Sequence, residues 1–186
     1  LLSAEGSVME ECTRTIIEQV DHLQEMVNEF QKFARMPEPK RSPEDLNQVV
    51  RDVVRLYGES HPHVAVDVEL DPELPMVPLD REQMRRVLIN LLNNALAVLP
   101  AQGGKIQIRT AFNRGLRVIR AEVADNGPGI PPAHKARLFE PYFSTKEGGM
   151  GLGLTIVRSI VAEHGGYIRV LDNEPQGTRF VIELPL

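Results

Sequence analysis

A chain of 186 residues, 42% apolar and 25% charged, has the composition of a soluble globular protein and the length of one ordinary domain with an appendage. Its 21 basic and 26 acidic residues leave a net charge of -5, which argues against wrapping a nucleic-acid backbone but leaves room for a local basic pocket that holds a small anion. The lone cysteine, Cys12, excludes an internal disulfide and fits the reducing cytosol, and the best apolar run, Val87 to Leu99, is too short to span a bilayer and is interrupted by Asn90, Asn93 and Asn94. No signal peptide is expected within these residues, and the start at Leu1-Leu2-Ser3 carries the expectation of a piece of a longer protein, with any sensor or membrane segment lying outside it.

Residues from about Glu10 to Arg35 are expected to form one helix, because Ile16, Val20, Leu23, Val27, Phe30 and Ala34 recur at alternating steps of four and three. That stripe suits a seam for a partner helix, with an ordinary amphipathic helix packed on its own domain as the alternative. Met36-Pro37-Glu38-Pro39 stops the helix, since proline cannot continue it. The expected organisation is therefore a helical segment over 1–36, a linker over 37–42 and a domain over 43–186. Ser42, as a cap, and Pro43, in a first turn, open a second helix to about Ser60. His63 to Leu70 alternates as a half-buried strand, and Met76 to Leu79 is a short one. Asp80-Arg81-Glu82-Gln83 resembles a capping box and starts a long helix through Leu99. Strands are expected at Lys105–Phe112 and Leu116–Ala124, then an irregular glycine-rich stretch from Asp125 to Gly151. A helix over Leu152–Glu163 and strands over Tyr167–Asp172 and Thr178–Leu184 close the chain. Strands in adjacent pairs favour an α+β fold, a mixed or antiparallel sheet with helices on one face, and argue against a doubly wound parallel sheet.

Three constellations can carry chemistry. In Asn90-Leu91-Leu92-Asn93-Asn94-Ala95, three poor helix formers sit inside a helix, with Asn90 and Asn94 four residues apart on one face. Paired amide oxygens there could help hold a hard cation such as Mg²⁺, completed by phosphate oxygens and water; a polar outer face is the alternative. Asp125-Asn126-Gly127-Pro128-Gly129-Ile130 puts a carboxylate at a strand end before glycines, a pattern that can accept a bond from an adenine amino group, although Asn-Gly also spells a plain turn. Gly148-Gly149-Met150-Gly151-Leu152-Gly153-Leu154 runs into a helix N-terminus and can offer free N–H groups to phosphates. It lacks both the βαβ context of a dinucleotide-binding loop and the Gly-Lys-Ser/Thr of a Walker loop. Between the last two, Phe139-Glu140-Pro141-Tyr142-Phe143-Ser144-Thr145-Lys146 is too aromatic for a free loop and suits a hinged lid. Lys146 can reach a phosphate from there or stand as a solvated lysine.

Together these residues resemble the histidine-kinase branch of the superfamily that also holds gyrase, Hsp90 and MutL ATPases. Asn90–Ala95 is similar to that family's N box, Asp125–Ile130 to the first glycine box, Phe139–Phe143 to the F box and Gly149–Leu154 to the second glycine box, while Gly177-Thr178-Arg179-Phe180 resembles its last glycine element. The resemblance covers Ser42 to Leu186. It implies a two-layer α/β sandwich of the Bergerat type with ATP under a flexible lid. It further implies that Asp125 binds adenine, that Asn90 and Asn94 handle Mg²⁺ and phosphate, and that Gly127, Gly129, Ile130, Gly149, Gly151, Leu152, Gly153 and Thr178 border the nucleotide, with Lys146 on the phosphates. The segment from Cys12 to Pro37 resembles the second dimerisation helix of nitrogen-regulation sensor kinases of the NtrY type. A homodimer through a helical bundle and a response-regulator receiver domain as partner are implied for the intact kinase.

Two departures from the family pattern stand out. The phosphoacceptor motif His-Glu-x-x-x-Pro-Leu is absent, and none of His22, His61, His63, His134 and His164 stands in that context. Where many members carry a lysine or glutamate after the second asparagine, this chain has Ala97 and Val98, which shifts a phosphate contact toward Lys146 or Arg137. Two rivals share the nucleotide boxes. A gyrase-type ATPase would need a glutamate at the position of Asn90, and an anti-sigma-factor-type serine kinase would lack the helix that ends in Pro-x-Pro.

Overall fold

The computed structural model describes residues 13–17, 19–21, 23, 24, 27, 38–100, 102–146 and 149–186, with Glu59 by its backbone alone. The chain divides into two compact units, Leu1–Pro37 and Glu38–Leu186. In the first, every described residue is helical, and Ile16, Val20, Leu23 and Val27 are 53–62% exposed. The expectations that rest on Cys12, His22, Phe30, Ala34, Met36, Pro37 and Gly148 fall outside the described residues.

The second unit starts with β1 (Ser42–Glu44) and α1 (Leu46–Ser60). Ser42 does not cap the helix: it belongs to a strand paired antiparallel with β3 (Val77–Leu79), and its hydroxyl bonds Glu44 at 2.9 Å. The cap is Asp45, whose carboxylate accepts from the Gln48 amide at 3.2 Å. Leu46, Val49, Val50 and Val53 recur at the spacing of one helical face and are buried. β2 (Ala65–Glu69) follows α1. After β3, the helix α2 (Arg81–Leu96) is capped by Asp80, which accepts from the Glu82 and Gln83 amides at 3.0 Å each. It buries Met84, Val87, Leu88, Leu91, Leu92 and Ala95 and stops three residues before the expected Leu99.

β4 (Lys105–Asn113) and β5 (Val118–Asp125) form an antiparallel hairpin. The stretch expected to be irregular contains a short helix, α3 (Pro132–Lys135), and Asp125 itself ends β5. α4 (Gly153–Glu163) and the strands β6 (Tyr167–Asp172) and β7 (Thr178–Pro185) complete the unit. The main sheet has the order β2-β4-β5-β7-β6; β2 runs parallel to β4 and all other pairs are antiparallel, which makes the sheet mixed.

Alternation sorts the two faces of the sheet. Ile106 and Ile108 of β4, Ile119, Ala121 and Val123 of β5, and Phe180, Ile182 and Leu184 of β7 are buried with the helices' apolar residues. The other face carries ion pairs from strand to strand: Arg109–Glu69 at 2.8 Å, Arg120–Glu183 at 3.1 Å, and Arg169–Glu183 at 2.7 Å. Such exposed pairs add little stability each, but they keep that face wet and leave the helical face as the core. Asp125 shares the inward parity of Val123, so the last side chain of β5 is a carboxylate placed where the core ends.

Candidate nucleotide-binding site

Asp125 is 4% exposed, and its Oδ1 accepts from the Gly127 amide at 2.9 Å and the Thr178 amide at 3.2 Å. No described residue bonds Oδ2, so one carboxylate oxygen remains for a donor from outside. Burial pushes the Asp125 carboxyl above the usual carboxylate range, and the two amides only partly offset it. The strand end is held from two sides. Asn173 Nδ2 donates to the Asp125 carbonyl at 2.9 Å, and Asn126 donates to the Gly103 carbonyl while its own Oδ1 accepts from Lys105 N–H. Gly177, at φ 122°, passes so close that a Cβ there would collide with the Asp125 carbonyl oxygen, which makes glycine obligatory. Gly129 lies next to it, and a Cβ there would rest 3.4 Å from the Gly177 carbonyl oxygen; Ile130 is half-buried. At Gly127 a Cβ would approach the Asp125 carboxylate at 2.9 Å and Val98 at 3.0 Å, which puts Val98 beside the carboxylate.

The three asparagines of α2 divide between two sets of partners. Asn93 turns to α1, where it accepts from the Tyr57 hydroxyl at 2.6 Å. Asn90 and Asn94 have other neighbours, Gly153 and Lys146. Asn90 Nδ2 donates to the Arg86 carbonyl at 2.9 Å, which fixes its Oδ1 outward, 3.0 Å from where a Cβ on Gly153 would stand. Asn94 Oδ1 accepts from the Lys146 ammonium at 3.1 Å. Partial burial lowers the Lys146 pKa, and no carboxylate pairs with it among the described residues.

α4 begins beside Asn90. Leu152 is its N-cap, offers no side-chain cap, and is buried; no acidic residue occupies the first turn. The helix therefore starts with unsatisfied N–H groups and a positive dipole end. The aromatic segment Phe139–Lys146 lies against this start. Gly151, at φ 67°, has the Phe143 backbone where a Cβ would be, at 2.5 Å from its carbonyl oxygen. A Cβ on Gly149 would strike Ser144 Oγ. The Phe143 ring is held by Arg137 at 4.5 Å and by His134 with centroids 5.7 Å apart, while Tyr142 is 62% exposed. Thr155 Oγ donates to the Phe139 carbonyl at 3.4 Å, which ties the aromatic segment to α4.

Asp125, Gly127 and Thr178 thus meet beside Val98, just past the end of α2, and Asn90, Asn94, Lys146 and Gly153 meet one to two turns earlier on the same helix. The described residues hold no cluster of three His, Cys, Asp or Glu side chains that could bind a metal by themselves. A cation here would take amide and phosphate oxygens, which suits a hard ion. Tyr57, Asn173 and Asn126 carry no sequence signal for their roles, because their partners lie far along the chain or on the backbone.

Residues 79–186 match the family model for the histidine kinase-, DNA gyrase B- and HSP90-like ATPases. The chain belongs to this ATPase family. The family members it resembles include sensor histidine kinases. The nitrogen regulation protein NtrY of Azorhizobium caulinodans is 39% identical over 100% of this chain, which spans 24% of that relative. The structure of full-length ShkA in complex with AMPPNP superposes with a TM-score of 0.77 and 31% identity, covering 90% of this chain and 36% of that one. That of histidine kinase ThkA in complex with the response regulator protein TrrA gives a TM-score of 0.75 and 31% identity over 91% of this chain and 49% of that one. No described helix is long and apolar enough to cross a membrane.

Proposed function

We propose that the chain is the ATP-binding catalytic portion of a two-component sensor histidine kinase of the NtrY type, which presents the γ-phosphoryl of ATP to a histidine outside these 186 residues for relay to a response-regulator aspartate. The observation that carries this is the pairing, along α2 and the Val98 that follows it, of a buried carboxylate with a free Oδ2 and an outward amide face that abuts an uncapped helix start. Asp125 Oδ2 accepts a hydrogen bond from the adenine amino group, and Val98 and Gly127 lie against the base. Gly129 and Ile130 border the base side, and Thr178 keeps the carboxylate turned inward.

At the phosphate end, the Asn90 and Asn94 amide oxygens fit a Mg²⁺ ion shared with phosphate oxygens. Mg²⁺ supplies charge neutralisation on the phosphates when bound. The N–H groups at Gly153 and Leu154 add donors, Gly149 and Gly151 let the lid backbone come close, and Lys146 exchanges its bond to Asn94 for a phosphate oxygen. None of these groups is a base strong enough to activate water, and phosphoryl transfer asks of the protein chiefly positioning and charge. Asn90 in place of a glutamate therefore favours transfer to a protein acceptor over steady hydrolysis.

A receiver domain as partner is supported by the ThkA–TrrA complex, and a homodimer by the exposed stripe of Ile16, Val20, Leu23 and Val27. The cytosol is the proposed compartment of this portion. Titration calorimetry with Mg²⁺ and AMPPNP or ADP tests the assignment. Micromolar binding that Asp125→Ala weakens by at least ~10-fold is the expected outcome, in line with the loss of a charged hydrogen bond. Unchanged affinity in that variant means that adenine does not bind at Asp125.

A further inference from the structure

α2 carries three arginines, Arg81, Arg85 and Arg86, and two of them are paired. Arg81 binds Glu44 at 3.2 Å and Asp52 at 2.6 Å, and Arg85 lies 3.8 Å from Glu82. Arg86 has no ion pair among the described residues, and its Nη2 is buried without a hydrogen-bond partner. A guanidinium cannot escape burial by losing its proton, so an unpaired buried N–H on it is costly, and such a group in a native protein calls for an anion.

Its place in the helix says which anion. Arg86, Asn90 and Asn94 follow one another at four-residue steps along one face of α2, about 6 Å per step. Asn90 Nδ2 donates to the Arg86 carbonyl, so the two share one helical turn. With the base at Asp125 and Val98, the phosphates run along α2 past Lys146 on Asn94, then past Asn90 and the start of α4 at Gly153. Arg86 is the next group on that line.

We propose that Arg86 binds the terminal phosphoryl group of the nucleotide and so makes the site prefer a nucleoside triphosphate to a diphosphate. The planar guanidinium matches two phosphate oxygens at once, and the γ-phosphate supplies the partner that Nη2 lacks. The proposal rests on the nucleotide site at Asp125 and Asn90 and adds the contact that the alanine at position 97 does not provide.

The test is equilibrium binding of AMPPNP and of ADP, each with Mg²⁺, to the 186-residue chain and to Arg86→Gln and Arg86→Lys. Arg86→Gln should weaken AMPPNP by ~10-fold or more and ADP by less than ~2-fold, with Arg86→Lys between, as expected for one charge-assisted contact made only to the third phosphate. Equal losses for both nucleotides, or no loss, overturn the proposal. Glu163, on the facing helix α4, also has a buried unpaired oxygen, Oε2. Should Arg86→Gln and Glu163→Gln lower the thermal midpoint alike while the AMPPNP-to-ADP preference stays intact, Arg86 is a structural partner and the proposal is wrong. A wild-type chain that binds neither nucleotide overturns the nucleotide site and this contact with it, whereas parallel effects on the two nucleotides remove only the contact.

Discussion

At Asp125 a single side chain carries two opposed demands. Its Oδ1 bonds the amides of Gly127 and Thr178, which an asparagine oxygen in the same place could also do. Its charge is buried, and burial raises its pKa. An acid with a folded pKa above its unfolded value of about 3.9 destabilises the folded state once both are ionised, and the penalty disappears below the unfolded pKa. Asp125→Asn should therefore raise the thermal midpoint of the nucleotide-free chain near neutral pH, by a margin that vanishes below about pH 4. The same variant should bind AMPPNP ~10-fold or more weakly, because an amide N–H turned toward the adenine amino group opposes it. Scanning calorimetry across pH, beside nucleotide titration, checks both; a lower midpoint at pH 7 would show that the charge itself is needed for the fold. This carboxylate is legible in the sequence, as an acid at a strand end before glycines. Its support from Thr178 is not: that amide is 53 residues away, and backbone donors leave no trace in residue type.

Among the elements, α2 matters most, since it presents Asn90 and Asn94 on one side and buries six apolar residues on the other. Its N-terminus is a junction. Asp80 Oδ1 accepts from Glu82 and Gln83, its Oδ2 accepts from Lys40 N–H at 2.8 Å, and its own N–H donates to His164 Nε2 at 2.9 Å. Burial works against the Asp80 charge, but the amides of Gln83, Lys40 and Glu82 outweigh it and hold the pKa below the ordinary value. A carboxylate with a depressed folded pKa stabilises the fold above its unfolded pKa, and that gain is lost as pH falls through the folded value. Asp80→Ala should cost about 1–2 kcal/mol at pH 7 by denaturant unfolding, with the gap to wild type narrowing in acid. A gap that holds constant with pH would mean that the cap works through shape rather than charge. The acid-x-x-Gln pattern is enough to mark the start of this helix. Ser42 misleads because a serine before a proline is a good cap in isolation, whereas here its backbone is taken by Val77–Leu79. The parallel pairing of β2 with β4 is equally hidden, since Ala65 and Lys105 meet across 40 residues of chain.

For the molecule as a whole, the decisive question is whether any histidine of the chain can take the phosphoryl group it is proposed to present. His164 cannot, because it is buried with Nδ1 bonded to the Ile160 carbonyl at 2.8 Å and Nε2 to Asp80 N–H. His61 and His63 line a groove with Asn93, whose amide oxygen is taken by Tyr57 of α1. His134 packs edge-on against Phe143, and its backbone belongs to α3. In-line transfer needs a nitrogen about 3 Å from the γ-phosphorus, opposite the leaving oxygen, and the rings of His61, His63 and His134 pack on Tyr57, on each other and on Phe143 rather than on Asn90, Asn94 or Lys146. His22 lies outside the described residues, and its setting, Asp21-His22-Leu23, offers no acceptor motif. The chain should therefore bind Mg²⁺–ATP and remain unlabelled when the γ-phosphate carries the label. A separate segment with the His-Glu-x-x-x-Pro-Leu motif on a dimerisation helix, added in trans, should acquire acid-labile label that depends on this chain and is lost with Asp125→Ala. Label on the chain itself, or an acceptor segment left blank while AMPPNP still binds, would mean that the nucleotide site serves another reaction.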